Sequence, residues 1–333
     1  VAADVFMNAA ITGINGGLVV TVADDPSQHS SQNEQDSRFY GKFAMIPVFE
    51  PSSQQEAYDM TYEAFAFSEK TGLPVMMRIT TRLAHSRAGV ISGKIQRENR
   101  LRLPENELQF MLLPAYGRGY YTNLLNKQDA LVQYSEESGF NSYTRGTDHS
   151  LGIICSGIAY NYVMENYPEG ECPYSMVKIA HYPIPEKMLK KLEQECDELL
   201  VVEEGYPLIE ELLKDFFDKG TKVSGKLNGI LPRQGELNPN HVAKALGKEE
   251  PHAFEVPTGL ARRPPSLCAG CGHQDSYFAL NEVIKDYGAG RVFSDIGCYT
   301  LGALPPYNTI NTCVDMGASI TMATGAADAG PNP

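Results

Sequence analysis

The chain has 333 residues, which is long enough for two or three domains with separate hydrophobic cores. Its 42% hydrophobic and 21% charged residues exclude a disordered protein, and its net charge of −13 argues against a nucleic-acid-binding surface. No apolar run approaches the roughly 20 residues of a membrane span, and the N-terminus lacks the basic start of a signal peptide. Seven cysteines without a secretory signal favour reduced thiols in a cytoplasmic protein.

The first 90 residues have the alternating pattern of a parallel α/β domain. Short apolar runs predict strands, and apolar residues at helical spacing predict a helix closed by a glycine. The predicted strands are Leu18–Ala23, Ile46–Glu50 and Pro74–Thr80, and the predicted helix is Gln54–Lys70. A strand–helix–strand succession with this spacing indicates a right-handed crossover and a parallel sheet.

A polar loop over residues 27–38 follows the first predicted strand, at the sheet edge where open α/β folds bind ligands. It contains His29 and Asp36 and many hydrogen-bonding side chains. Composition alone favours a solvated surface loop. Arg78, Arg82 and Arg87 follow near the third strand, where they could serve an anion, although three cations of one sign more often form a solvated face.

Residues 91–145 lose this alternation and are predicted to connect domains, with one long helix over Gly117–Gly139. The alternation resumes over residues 146–228, which we predict to be a second, smaller α/β domain. One strand of this domain ends at Glu203 and Glu204. Adjacent strand residues point to opposite faces of a sheet, so these two glutamates form no acid–base pair. Residues 229–261 form a predicted linker, and a third domain starts at residue 262.

The third domain begins with a thiol pair, Cys268 and Cys271, followed by His273. A haem-attachment site needs the histidine directly after the second cysteine, and a structural zinc site usually needs a second close pair. An iron–sulfur cluster needs four thiolates; Cys268, Cys271 and Cys298 could give three, with a fourth from Cys313 or from outside the chain. Two small buried thiols at a helix start remain an equally simple explanation.

Two further stretches of this domain predict a ligand crevice. Asp295, Gly297 and Cys298 follow the predicted strand Arg291–Asp295, and the small-residue helix Met316–Ala329 starts near the same sheet edge. A helix N-terminus attracts a diphosphate, and a glycine lets the backbone turn closely. We therefore expect His273 and the sulfurs of the three cysteines to lie together at this edge.

Five motifs in order resemble the thiamine-diphosphate-dependent 2-oxoacid:ferredoxin oxidoreductases, in particular the large subunits that act on aryl pyruvates. The resemblance covers nearly the whole chain. They are ADDPSQHSSQNEQDSR (23–38), RITTRLAHSR (78–87), RPPSLCAGCGH (263–273), SDIGCYTLG (294–302) and the stretch Asn311 to Ile320.

The resemblance implies successive parallel-sheet units: a pyrimidine-binding domain (1–90), a domain like the C-terminal domain of transketolase (146–228) and the start of a pyrophosphate-binding domain (262–333). It implies that the family's activating glutamate lies upstream of Val1 and its Mg²⁺-binding motif downstream of Ala329. We therefore expect an internal fragment of a longer subunit, inactive by itself.

The resemblance also implies a site shared between two domains. His29 and His273 are the expected catalytic residues, Ile320 the bulky support that bends the cofactor, and Cys268, Cys271 and Cys298 possible iron–sulfur ligands. The expected cofactor-binding residues are Cys271, His273, Asp295, Gly297, Cys298, Met316, Gly317, Ala318, Ser319 and Ile320.

The implied reaction is the oxidative decarboxylation of an aryl pyruvate to an acyl-coenzyme A, with electrons passing through [4Fe–4S] clusters to ferredoxin. Thiamine diphosphate, Mg²⁺, a β subunit, ferredoxin and coenzyme A are the expected cofactors and partners, in a hetero-oligomer with no nucleic acid or membrane. The alternatives are a pyruvate-type relative, a non-redox thiamine-diphosphate decarboxylase or synthase, and a non-catalytic metal-binding or assembly domain.

Overall fold

A computed structural model describes residues 2–93, 95, 99–100, 103–218, 220–250, 255, 257–260, 264–287 and 291–330. The ends of the predicted domains at residues 1, 262–263 and 331–333 lie outside the described residues. The chain separates into two compact units, Val1–His252 (unit 1) and Ala253–Pro333 (unit 2). No helix of the described chain combines the length and apolarity needed to cross a lipid bilayer.

Unit 1 contains two sheets. The strands are β1 Val19–Asp24, β2 Val48–Phe49, β3 Val75–Thr80, β4 Ser142–Thr144, β5 Asp148–Ser156, β6 Tyr174–Ile179, β7 His181–Tyr182, β8 Glu198–Val202 and β9 Lys222–Ser224. The first sheet has the strand order β1-β3-β2-β7 and the second β4-β6-β5-β8-β9.

Most strand pairs are parallel, because helices return the chain between them. In the first sheet β3 pairs in parallel with both β1 and β2, and in the second β5 pairs in parallel with β6 and β8. The helices of unit 1 are α1 Ala2–Thr12, α2 Arg38–Ala44, α3 Gln54–Thr71, α4 Thr81–His85, α5 Pro114–Asn126, α6 Gln128–Glu136, α7 Ala159–Met164, α8 Glu186–Glu195, α9 Leu208–Leu213 and α10 Pro239–Ala245. The predicted parallel α/β class is confirmed.

The strand β7 links the two predicted domains of unit 1. It lies in the second predicted domain, yet it pairs antiparallel with β2 of the first sheet, with Val48 opposite Tyr182. Apolar side chains from both segments form one continuous core, for example Met76 and Leu199. The boundaries at 90, 145 and 228 stay a prediction.

The prediction of one long helix over Gly117–Gly139 is wrong. The chain forms α5 and α6, separated at Lys127, and α6 ends before Gly139. The Lys127 ammonium donates a hydrogen bond to the Thr71 carbonyl at the end of α3 over 2.7 Å. This contact holds the chain against α3 where the helix is interrupted, a tertiary interaction that helical spacing does not reveal.

Unit 2 is a smaller α/β arrangement. Its helices are α11 Gly272–Tyr287 and α12 Ala318–Asp328, and its strands are β10 Phe293–Ser294 and β11 Thr312–Cys313. The two strands pair in parallel, with Ser294 opposite Cys313. Tyr277 and Ile310 are among its few buried apolar side chains.

Candidate functional site

The thiol pair of unit 2 closes a turn before α11. The Cys271 N–H donates to the Cys268 carbonyl over 3.1 Å, and Gly270 takes a positive φ of 73° within the turn. The Gln274 side-chain amide also donates to the Cys268 carbonyl, over 2.8 Å. Cys268 has an exposed side chain, whereas Cys271 is half-buried at the start of the helix.

Two sulfurs of unit 2 converge on one imidazole nitrogen. The Nδ1 atom of His273 lies 3.3 Å from the Cys271 sulfur and 3.8 Å from the Cys298 sulfur. Cys298 reaches this position because it begins a short 3₁₀ turn, Cys298–Ala303, after the three residues that follow β10. The structure thus brings three of the predicted site residues together, an arrangement able to exchange a proton between thiol and imidazole.

The other two thiols of unit 2 lie outside this contact. Cys313 stands on β11 and contacts the Thr300 hydroxyl over 3.6 Å, and no contact of its sulfur or of the Cys268 sulfur with His273 is described. In the part of the chain that the structure describes, no three His, Cys, Asp or Glu side chains are placed to hold one metal ion. The assignment of Cys268, Cys271 and Cys298 as cluster ligands therefore stays a prediction.

Gly297 avoids a clash of a Cβ atom, as expected, but not by adopting a left-handed backbone. Its φ of 171° is extended backbone, open to any residue. A side chain at this position would instead overlap the ring of Tyr299. That ring packs edge-on to His273 with centroids 5.6 Å apart, so Gly297 allows Tyr299 to support the imidazole.

The N-terminus of α12 already carries a carboxylate of the chain. Asp295 Oδ1 accepts the Ser319 N–H over 2.6 Å, and the Ser319 and Gly317 hydrogen bonds hold the pKa of Asp295 below its usual value. The helix starts at Ala318, two residues later than predicted. A negative group of the chain itself, Asp295, thus interacts favourably with the positive end of this helix, and the diphosphate site stays a prediction.

The edge around α12 combines exposed apolar side chains with an open backbone turn. Ile320 and Met316 are apolar yet 73% and 77% exposed; Ile320 lies in the first turn of the helix and Met316 two residues before its start. Gly317 takes a positive φ of 81°, and the space where a side chain would stand is open. These residues could place apolar and backbone groups against a flat ring. A metal-bound diphosphate would require further ligands.

His29 lies in unit 1, on the loop after β1. It is half-exposed, and its Nε2 atom lies 3.6 Å from a Glu236 carboxylate oxygen, which also accepts a 2.6 Å hydrogen bond from Arg82. Asp25 orders the same loop by accepting the N–H groups of Ser30 and Ser31. That this loop faces the cofactor across two domains stays a prediction.

The structure also reveals a buried ion cluster that the sequence analysis missed. Its members are Asp24, Asp36, Arg38, Glu50, Arg78 and Glu203. The interpretation of the arginine trio as a solvated face is wrong for Arg78, whose side chain is fully buried and pairs with Asp24 and Glu50. Asp36 and Arg38, at the end of the predicted polar loop, are likewise buried.

A pattern that was visible in the sequence could have indicated this cluster. Asp24, Glu50 and Arg78 stand at or near the ends of neighbouring strands of the first sheet, and Glu203 directly follows a strand of the second. Strand ends of one parallel sheet meet at one edge, so opposite charges placed there are expected to pair. What the sequence does not show is that the two sheets close over them.

Comparisons with known proteins identify close relatives of the sequence. No family model matches. The chain is 40% identical over 346 residues to the indolepyruvate oxidoreductase subunit IorA of Pyrococcus abyssi, covering 98% of this chain and 53% of that protein. It is 37% identical to the IorA subunit of Archaeoglobus fulgidus, covering 98% of this chain and 54% of that protein. The chain therefore spans about half the length of the curated relatives it matches.

A solved structure supports the fold. The 2-oxoglutarate:ferredoxin oxidoreductase of Magnetococcus marinus matches with a TM-score of 0.52 and 12% identity, over 73% of this chain and 50% of that one. At this identity the match shows a shared α/β architecture only. The sequence resemblance to aryl-pyruvate-type subunits, by contrast, is confirmed by the IorA relatives.

Proposed function

Because the chain matches IorA subunits over 98% of its length, we propose that it is part of the catalytic subunit of an indolepyruvate-type 2-oxoacid:ferredoxin oxidoreductase. The whole subunit would catalyse oxidative decarboxylation of an aryl pyruvate, form an acyl-coenzyme A and pass electrons to ferredoxin. A β subunit would complete a hetero-oligomer, since the relatives are named as subunits. Mg²⁺ and [4Fe–4S] clusters belong to the same proposal, and no residue of this chain is assigned to the Mg²⁺.

The site for thiamine diphosphate would be the edge of unit 2 around α12. When bound, this cofactor supplies a thiazolium that accepts the electron pair left by departing CO₂. Ile320 would support the rings from below, and the backbone of 316–319 would contact them. Asp295 holds the start of α12 in position through Ser319.

The observation that carries the proposal for this chain is the meeting of His273 with two sulfurs beside this edge. Here His273 would hold a proton close to the reacting carbonyl group, and Cys271 and Cys298 would fix the orientation of its ring. His29 would act from the loop of unit 1, where Glu236 orients its imidazole.

Turnover by the full-length subunit, expressed with its β subunit, tests the proposal. We expect indolepyruvate, coenzyme A and ferredoxin to give acyl-coenzyme A and reduced ferredoxin. The variant His273→Ala should lose about 100-fold in turnover, the ordinary contribution of a general acid–base group. The control variant His149→Ala, in the second sheet of unit 1, should keep its activity.

The alternatives give different products in the same assay. Faster turnover of pyruvate than of indolepyruvate would assign the chain to the pyruvate-type relatives. Release of an aldehyde without reduction of ferredoxin would make it a non-redox decarboxylase. Absence of thiamine diphosphate binding by the full-length subunit would refute a catalytic role and leave a binding or assembly function.

A further inference from the structure

Unit 1 contains a cavity of about 340 Å³ that neither predicted catalytic histidine lines and that has no role in the proposed reaction. Ligand pockets in proteins typically measure roughly 300–1,000 Å³ and have mostly apolar walls with a few polar groups. This cavity fits that description. Its apolar wall consists of Met45, Ile46, Val48, Pro183, Ile184, Leu208, Leu212 and Phe216.

The polar groups deep in the cavity are already satisfied by the chain. Arg38 lines it but donates hydrogen bonds to Asp36 and to the carbonyls of Glu204 and Tyr206. The Tyr182 hydroxyl donates to Glu50 over 2.6 Å. A ligand therefore gains apolar contact in the interior, and any charged group that it carries must find its partner where the cavity opens to solvent.

Two opposite charges stand at that opening. Lys42 on α2 and Glu186 at the start of α8 both line the cavity, and both are exposed. Within the described chain neither side chain forms an ion pair, with the other or with any third residue. One cation and one anion beside an apolar cavity complement a molecule that has a carboxylate, an ammonium and an apolar group.

Met45 adds an independent observation. It ends α2 with a left-handed backbone, φ 56° and ψ 41°, a conformation that costs a residue with a side chain about 1 kcal/mol and that glycine adopts freely. Its side chain lines the cavity. A strained methionine at a position that favours glycine indicates that its thioether is kept for contact, and thioethers pack well against aromatic rings.

We propose that this cavity binds an α-amino acid with an aromatic side chain. The ring would occupy the apolar interior beside Met45 and Phe216, the carboxylate would pair with Lys42, and the ammonium with Glu186. The site is separate from the proposed thiamine-diphosphate site, and the inference does not rest on the proposed reaction. Because the cavity wall comes from the first sheet and from the segments around α2, α8 and α9, the bound amino acid would stabilise the contact between these elements.

Tryptophan is a direct probe, since the chain contains no tryptophan of its own. The 333-residue chain is added to L-tryptophan, and the fluorescence of the amino acid is followed. We expect saturable binding at one site per chain. Tryptamine lacks the carboxylate and indole-3-propionate lacks the ammonium, so each should bind at least about tenfold more weakly, the loss expected for one charged hydrogen bond.

Two charge-removing variants locate the site. Lys42→Met and Glu186→Gln keep the side-chain length and lie on the surface, so both should fold as the unchanged chain does, which circular dichroism verifies. Each should weaken tryptophan binding at least about tenfold, and Lys42→Met should weaken indole-3-propionate binding while sparing tryptamine. The matched control Lys187→Met removes the neighbouring exposed cation, which does not line the cavity, and should bind normally.

Three results would overturn the proposal. One is the absence of saturation by about 5 mM tryptophan, which is weaker than an ordinary small-molecule site. Another is equal affinity for tryptophan, tryptamine and indole-3-propionate, which would show apolar binding without recognition of the amino-acid group. The third is unchanged binding by Lys42→Met and Glu186→Gln, which would place the amino acid elsewhere on the chain.

Discussion

Replacing Arg38 by methionine is the sharpest test of how unit 1 is held together. The Arg38 guanidinium is completely buried and lies 2.5 Å from Asp36, 3.0 Å from Glu203 and 3.7 Å from Glu50. Methionine fills similar space but carries no charge. It therefore leaves carboxylates buried without their cation, which is far more costly than losing an exposed ion pair.

The remaining partners set the size of the effect. Asp36 and Glu50 keep Arg78 as a neighbour, whereas Glu203 keeps the backbone N–H groups of Ile209 and Glu210 and the electrostatic attraction of the buried Lys226. Breaking one partner of a buried ion pair costs about 3–5 kcal/mol. Since a domain is stable by about 5–15 kcal/mol, Arg38→Met should remove a large share of the free energy of unfolding.

Urea unfolding at 25 °C, followed by circular dichroism, measures the change. The control variant Lys222→Met removes one partner of an exposed pair, in which Lys222 is 63% and Glu198 46% exposed, and it should cost no more than about 1 kcal/mol. The double variant Arg38→Met with Glu203→Gln should recover part of the loss, because it removes a buried carboxyl group that has lost its Arg38 partner. If Arg38→Met costs no more than Lys222→Met, the ion cluster does not stabilise unit 1 and the reasoning is refuted.

Two further predictions concern single buried positions. Burial raises the pKa of Glu203 from 4.5 to about 7, so the native chain keeps a proton that the unfolded chain loses, and this contribution to stability, complete below pH 4.5, disappears as the pH rises to about 7. In urea titrations Glu203→Gln should therefore remove the decline in the free energy of unfolding between about pH 5 and about pH 7.5. Equal slopes of the free energy of unfolding against pH in the variant and the unchanged chain would contradict this prediction. The added methyl group of Gly302→Ala would overlap the Tyr277 ring and should lower the free energy of unfolding by about 1–3 kcal/mol. The control Gly325→Ala has open space in α12 and should raise the free energy of unfolding by about 0.5–1 kcal/mol. Equal melting temperatures of the two variants would contradict the packing of unit 2.

The sequence alone was sufficient to predict the regular elements of unit 1. The apolar run Leu18–Ala23 became β1 Val19–Asp24, and the helix predicted over Gln54–Lys70 became α3 Gln54–Thr71. Both depend on local features, a continuous apolar run and an N-cap serine, Ser53, whose side chain accepts the Glu56 N–H. Elements that depend on distant contacts, such as β7 and the break at Lys127, were not predictable in this way.

The candidate site shows the same division. Spacing predicts that Cys271 and His273 lie near each other, and the position of Cys298 after a strand predicts its edge of the sheet, whereas the meeting of both sulfurs at one nitrogen is a property of the fold. The opposite outcome occurs at Asp36. The polar residues around Asp36 favour a solvated loop, yet Asp36 is buried because it accepts hydrogen bonds from the buried Arg38 guanidinium, two residues further on.

The strain at Met45 can be tested separately from ligand binding, because left-handed backbone reverses the usual preference between alanine and glycine. At a right-handed position such as Ala44, the last residue of α2, replacement by glycine should cost about 0.5–1 kcal/mol or more. At position 45 both Met45→Ala and Met45→Gly lose the same thioether contacts, and only glycine relieves the backbone. Met45→Gly should therefore be about 1 kcal/mol more stable than Met45→Ala in thermal unfolding, while both bind tryptophan more weakly than the unchanged chain. If alanine at position 45 is as stable as glycine, the backbone there is unstrained. Met45 would then not support the proposal of an amino-acid site in the cavity, and that proposal would rest on Lys42 and Glu186 alone.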